Sequence, residues 1–216
     1  MRARFQGELE QLGVELAAMC GLAADAMQGA TQALIDADLT VAERVIGADQ
    51  HLDTAAVECE EHALLMLTLQ APMARDLRAV VTAIRAAQKI ARMGDLSRHI
   101  AELARRRHPA HAAPDEIAPR FAEMGQLAEA AARSLQVAIA APTQEVFADL
   151  DAADDRIDRL HDAVMTEVSR PGGPFTVAQG IDVALLTRFY ERFADQVVAV
   201  SRRLDYVVTG TLPGGS

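Results

Sequence analysis

Tryptophan is absent from this 216-residue chain, aromatic residues make up only 4% of it, and cysteine occurs twice. So few aromatics, with turn-forming residues confined to a few short clusters and alanine abundant elsewhere, favour long helices over sheets. Cys20 and Cys59 each fall inside a helix-forming run, which suits small buried apolar side chains better than a disulfide framework or a redox pair. No apolar stretch approaches the roughly 20 residues that a membrane-spanning helix needs. The amino-terminal residues Met1 to Gln6 lack the apolar run of a secretory leader, and Glu8, Glu10 and Glu15 follow directly. A cytoplasmic, reducing environment is therefore expected, with any membrane association peripheral and made through partners. Positive charge is scarce too: 21 Lys and Arg stand against 31 Asp and Glu, a formal charge of -10. That balance speaks against a nucleic-acid partner, because such binding rests on basic residues neutralising phosphates.

What is present is apolar periodicity. Half the residues are hydrophobic, enough for a sizeable core. Phe5, Leu9, Leu12, Leu16, Met19, Ala23, Ala26, Ala30 and Ala33 recur at alternating spacings of four and three, the stripe of a long helix in a near-parallel bundle. Asp38 is placed to cap a second helix carrying Val45, Leu52, Cys59 and Met66, which must stop near Gln70-Ala71-Pro72. A third helix runs from there through Val80, Ile84 and Ile90 to Arg105-Arg106-Arg107, cations that suit the negative end of a helix dipole. His108 to Pro114 holds two prolines and no apolar period, so it reads as a joint. The pattern then repeats: Ile117, Phe121, Met124, Ala128, Ala131, Leu135 and Ala138; a fifth helix capped by Thr143 and ending by Pro171-Gly172-Gly173-Pro174; and a sixth opened by the capping-box pair Thr176 and Gln179 and closed near Gly210. The expected fold is all-α, a tandem pair of three-helix bundles with repeats at 1–108 and 115–210.

The duplication shows most clearly in one motif. Arg188-Phe189-Tyr190-Glu191-Arg192-Phe193-Ala194-Asp195 has a partial copy 100 positions earlier, Lys89-Ile90-Ala91-Arg92-Met93-Gly94-Asp95. Glu191 and Asp195 lie four apart, as do Asp154 and Asp158 on the preceding helix, so each pair projects from one helix face. In the first half the corresponding residues are Asp49, Asp53 and Asp95, with Ala91 where the second half has Glu191. Like charges at this spacing cost about 0.2–0.5 kcal/mol per exposed pair on a helix, and more when buried, unless a cation sits among them. Two readings follow. The carboxylates form a site for a hard or borderline metal, for which oxygen ligands suit Mg, Mn or Fe; or they form a solvated acidic stripe partnered by Arg156, Arg188 and Arg192. His99, one turn after Asp95, is a further possible ligand. Enzyme readings find little: there is no glycine-rich phosphate loop, no Glu-x-x-His motif of a di-iron bundle, and Glu58 and His62 are spaced by four rather than three.

Gln70-Ala71-Pro72-Met73-Ala74-Arg75-Asp76-Leu77-Arg78, Arg92-Met93-Gly94-Asp95 and Tyr190-Glu191-Arg192-Phe193-Ala194-Asp195 together resemble the PhoU proteins, especially their actinobacterial members. The resemblance covers nearly the whole chain, leaving out the tail from about Thr211. It implies a non-enzymatic negative regulator of the phosphate-starvation response, coupling the ATPase of a phosphate-specific ABC transporter to a membrane sensor histidine kinase. It also implies homodimers and metal bound through acidic motifs in each half, with Fe, Zn, Mn and Mg as candidates. Carried over, Asp154, Asp158, Glu191 and Asp195 are all present in the second half. The first half keeps Asp49, Asp53 and Asp95 but has Ala91 where the family usually has Glu and Lys89 where it often has Asp, so the second half is the stronger site. The alternative function is a carboxylate-bridged metal-dependent enzyme or metal-storage bundle.

Overall fold

A computed structural model describes residues 2–70 and 72–210, with the side chains of residues 2, 3 and 70 excepted. Ala71, at the expected stop of the second helix, and the tail from Thr211 lie outside the described residues. The described residues form α1 (Arg2–Asp36), α2 (Leu39–Gln70), α3 (Arg75–Arg107), α4 (Ala118–Ala140), α5 (Gln144–Val168) and α6 (Val177–Thr209), with no strand among them. None of these helices is long and apolar enough to cross a membrane.

The helix boundaries follow from local chemistry. Asp38 Oδ1 accepts the Val41 N–H at 3.0 Å, and Thr143 accepts the Val146 N–H at 3.3 Å, each satisfying a donor that the first turn leaves free. Thr176 and Gln179 exchange both bonds of a capping box. Gly210 closes α6 in the left-handed conformation at φ 75°, where glycine carries no Cβ penalty. Ala37 adopts that conformation without being glycine (φ 49°), while the Asp38 N–H reaches back to the Ala33 carbonyl at 3.2 Å to end α1.

The two helix triplets bury one continuous core. α1 packs on α2 and α3 within its own repeat and on α4 of the other; α3 packs on α1 and α2 and also on α6. Leu12, Met19 and Met27 of α1, Met93 and Ile100 of α3, Phe121 of α4 and Phe193 of α6 are all buried in it. The expected α1 stripe holds at Phe5, Leu12, Leu16, Met19, Ala23, Ala30 and Ala33, but Cys20, Ala24 and Met27 are buried beside it and Leu9 and Ala26 are only half-buried. A helix with neighbours on three sides buries a wider face than a two-helix seam.

Where the repeats meet, the backbones come close. A Cβ added at Gly125 of α4 would stand 2.8 Å from the Thr31 Cβ of α1. The Thr31 hydroxyl bonds the Tyr190 hydroxyl of α6 at 3.0 Å, and the Tyr190 ring stacks on Phe121 at 5.8 Å. Cys20 and Cys59 are free and buried, and burial pushes both thiols up to about 12. His62 turns to α1, with its ring between Glu8 (3.0 Å) and Glu15 (3.1 Å), not to Glu58.

Candidate functional site

The short connection between α5 and α6 packs these helices side by side, and the four second-half carboxylates lie along their shared edge. Asp154 is half-buried, and its Oδ1 is buried with no hydrogen-bond partner. Burial first, then the negative fields of Asp158 and Asp195, raise its carboxyl pKa to about 6. Glu191 gives one oxygen to Arg188, while its Oε2 is buried and unpartnered. Its pKa is also raised: burial and Asp195 outweigh Arg188. Asp158 is raised by partial desolvation and then by Asp195 and Asp162. The four acids thus act on one another across the two helices. Asp158 and Asp195 stand at the exposed rim, with Asp154 and Glu191 deeper.

His161 belongs to this group. Its Nδ1 lies 3.3 Å from the Thr187 hydroxyl, and it is near enough to Asp158 and Glu191 to pull the pKa of both carboxyls down. It was legible in principle, standing three residues after Asp158 and so on the same helix face. The arginines of the acidic-stripe reading behave differently from one another: Arg188 stays on the site, but Arg156 turns to Glu123 at 2.5 Å.

The first half is built from the same plan with a different charge balance. Arg98 of α3 places Nε 2.6 Å from Asp49 of α2, Nη2 3.0 Å from Asp95 and Nη1 2.7 Å from Glu102. Arg92 adds a second bond to Asp95 at 2.9 Å. Burial alone would raise the Asp95 pKa, but the two guanidiniums outweigh it and hold the carboxyl below its ordinary value. Asp49 remains raised because its desolvation exceeds the pull of Arg98. Asp53 is exposed at the edge. The position 100 residues after Arg98 is Val198, which is buried. His99 does not complete the site; its ring lies against Phe189 of α6 at 5.2 Å, with Nδ1 buried and unpartnered.

Among the described residues no three His, Cys, Asp or Glu side chains converge as a formed metal cage. The donor chemistry still separates the halves. Two orphaned carboxylate oxygens and several raised carboxyl pKa values fit a cation in the second half, whereas a guanidinium already fills that role in the first.

The raised carboxyls have a consequence for stability. A carboxyl whose pKa is higher folded than unfolded binds its proton more tightly when folded, so stability rises as pH falls from about 6 towards the unfolded value near 3.8. In metal-free buffer, Asp154→Asn is expected to raise the melting temperature at pH 7 and to flatten its rise between pH 7 and pH 5. After discounting for solvent screening, the gain is on the order of 1 kcal/mol. Thermal melts across that range check it; a fall in stability on the substitution at pH 7 would contradict the unpartnered-carboxylate description.

The PhoU domain family matches this chain twice, over residues 16–104 and 121–204. The gap between the matches contains the proline joint. A relative in Mycobacterium tuberculosis, a phosphate-specific transport system accessory protein PhoU homolog 2, is 45% identical over 99% of this chain and 100% of its own. A PhoU homolog 1 of Mycobacterium leprae is 43% identical over 99% of this chain and 96% of its own. In shape, the crystal structure of the phosphate transport system regulatory protein PhoU from Streptococcus pneumoniae aligns with a TM-score of 0.86 over 97% of this chain and 99% of that one, at 24% identity. The fold is the same.

Proposed function

The chain belongs to the PhoU domain family, and from that premise we propose that it is a non-enzymatic accessory protein of phosphate-specific transport. In this reading it couples a phosphate ABC transporter to a sensor histidine kinase and restrains the phosphate-starvation response when phosphate is plentiful. The observation that carries it is likeness along the whole chain, 45% identity over 99% of its length, to a protein named for accessory function in phosphate-specific transport. Exposed apolar side chains just before and within the first turns of α3 and α6, among them Met73, Leu77, Val177 and Ile181, offer surface for protein partners. Kinase and transporter ATPase are those partners, and the chain works as a homodimer.

The second-half carboxylates Asp154, Asp158, Glu191 and Asp195, with His161 beside them, would hold a divalent or trivalent cation. Bound there, the cation would neutralise the acidic edge and tie α5 to α6. The chain's own residues set the selectivity: oxygen donors favour Mg, Mn or Fe, and one imidazole widens the choice to Zn.

Deleting the gene is expected to switch on phosphate-scavenging genes in phosphate-rich medium, with restoration by the intact gene. A transcript measurement in rich and poor phosphate checks it. Unchanged expression in rich phosphate, in a strain without a second copy, would sink the regulatory reading.

A further inference from the structure

A second charged feature lies in a groove between the start of α3 and the end of α6, further along α6 than Glu191 and Asp195. It is an open groove of about 590 Å³ lined by Arg78, Arg85, Arg202 and Arg203, with Thr82 and Tyr206 between them and no carboxylate in the lining. In a chain of net charge -10, four guanidiniums around one groove are out of keeping with the whole. Among the described residues they are also poorly neutralised. Arg202 meets Asp151 at a loose 3.5 Å, and no carboxylate pairs with Arg78, Arg85 or Arg203. Arg78 stacks its guanidinium over the Tyr206 ring at 5.7 Å, with its Nε buried and unpartnered.

The internal duplication supplies a control. At the matching positions, 100 residues away in either direction, Arg78, Arg85, Arg202 and Arg203 become Ala178, Leu185, Glu102 and Leu103. Thr82 becomes Asp182, which is buried and takes the Arg107 guanidinium at 2.6 Å. One end of the α3–α6 contact is therefore self-neutralised, while the other keeps its cations and lacks the acid. At that other end the cation, Arg107, comes with its acid, whereas no carboxylate lines the groove.

We propose that this groove binds a phosphoanhydride chain, as carried by inorganic tripolyphosphate or a nucleoside triphosphate, through Arg78, Arg85, Arg202 and Arg203. Forked guanidiniums match phosphoryl oxygens two at a time, and four of them suit an anion of several charges better than a single orthophosphate. An open groove of about 590 Å³ has room for a small polyanion between the two helices. Apolar side chains of both helices form the remaining wall and leave room for an organic portion. Arg202, whose charge also acts on Asp154, links the groove to the acidic edge.

The test is calorimetric titration of the full chain with tripolyphosphate, ATP and orthophosphate, at low and at physiological salt. Tripolyphosphate or ATP is expected to bind at one site per chain, more tightly than orthophosphate, and to weaken with salt. A preference for ATP would assign the apolar wall to the nucleoside, and equal binding would assign recognition to the chain alone. Arg85→Glu, at an exposed position, is expected to weaken binding by at least about tenfold, and Arg78→Ala with Arg203→Ala to abolish it. Arg170→Ala, in the α5–α6 turn, should leave it unchanged. Absence of binding to either phosphoanhydride overturns the proposal. So does equal loss in Arg170→Ala and the groove variants, or capture of an acidic peptide without any response to phosphoanhydrides.

Discussion

Replacing Arg98 with valine, the residue at the matching position of the second repeat, is expected to lower the melting temperature by about 5–10 °C in metal-free buffer. Arg98 is the shared partner of Asp49, Asp95 and Glu102, and the Asp49 side chain is only 12% exposed. Removing one member of such a cluster leaves negative charge in a poorly solvated place, which costs about 3 kcal/mol. The loss should be recovered in part by millimolar Mn²⁺ or Mg²⁺, because the vacated position then offers three carboxylates to a cation. The unmodified protein should show cation-dependent stabilisation from the second half alone, and Glu191→Ala with Asp195→Ala should remove it. Thermal melts with and without added metal, paired with elemental analysis of chelator-treated and reloaded protein, read both halves at once. An Arg98→Val protein that melts low and stays indifferent to metal would show that the guanidinium is structural only. A double Glu191/Asp195 variant that keeps its metal would remove the second-half assignment.

Gly125→Ala should be the most damaging single methyl addition near the centre of the molecule. The added Cβ would fall 2.8 Å from the Thr31 Cβ, a backbone-anchored atom that cannot swing aside, and would press on the Thr31 hydroxyl and methyl as well. The helices must separate or Thr31 must change rotamer, which breaks its bond to Tyr190 and loosens the Tyr190–Phe121 stack. Overpacking of this kind costs about 1–3 kcal/mol, and a lost buried hydroxyl bond about 1 more. A fall in melting temperature of about 5–12 °C is therefore expected for a chain of this size. Combining Gly125→Ala with Thr31→Ala should recover part of the loss, since two of the three crowding atoms disappear. A Gly125→Ala protein as stable as the original would mean that α1 and α4 are not held at this distance in solution.

Much of this is legible in the sequence. The caps at Asp38, Thr143 and Thr176, the left-handed close at Gly210, and the proline joint all act within a few residues of themselves, so composition and spacing were enough to find them. The acidic pairs at 154/158 and 191/195 were legible for the same reason: a four-residue interval fixes a shared helix face. Arg98 and His161 do not stand out in the sequence, although each lies three residues after an acid of the motif, Asp95 or Asp158. An i to i+3 neighbour marks proximity along one helix but does not say which side chain across the interface it will meet. Ala91 suggested that the first half had simply lost a ligand. Arg98 gives a second cause for the difference between the halves, since that half supplies its own cation.

The sequence alone determined the helices, their ends and the pairing of acids along each helix, because those depend on interactions between residues a few positions apart, and it showed the duplication as one pattern repeated 100 positions on. The tertiary structure decided which charges are neutralised and which are left waiting. Arg98 meets Asp49 across 49 residues, Arg107 meets Asp182 across 75, and Thr31 meets Tyr190 across 159. Both the filled first-half site and the open arginine groove are products of those long-range choices. Charge neutralisation depends on distance in space, and a repeated sequence does not carry that distance.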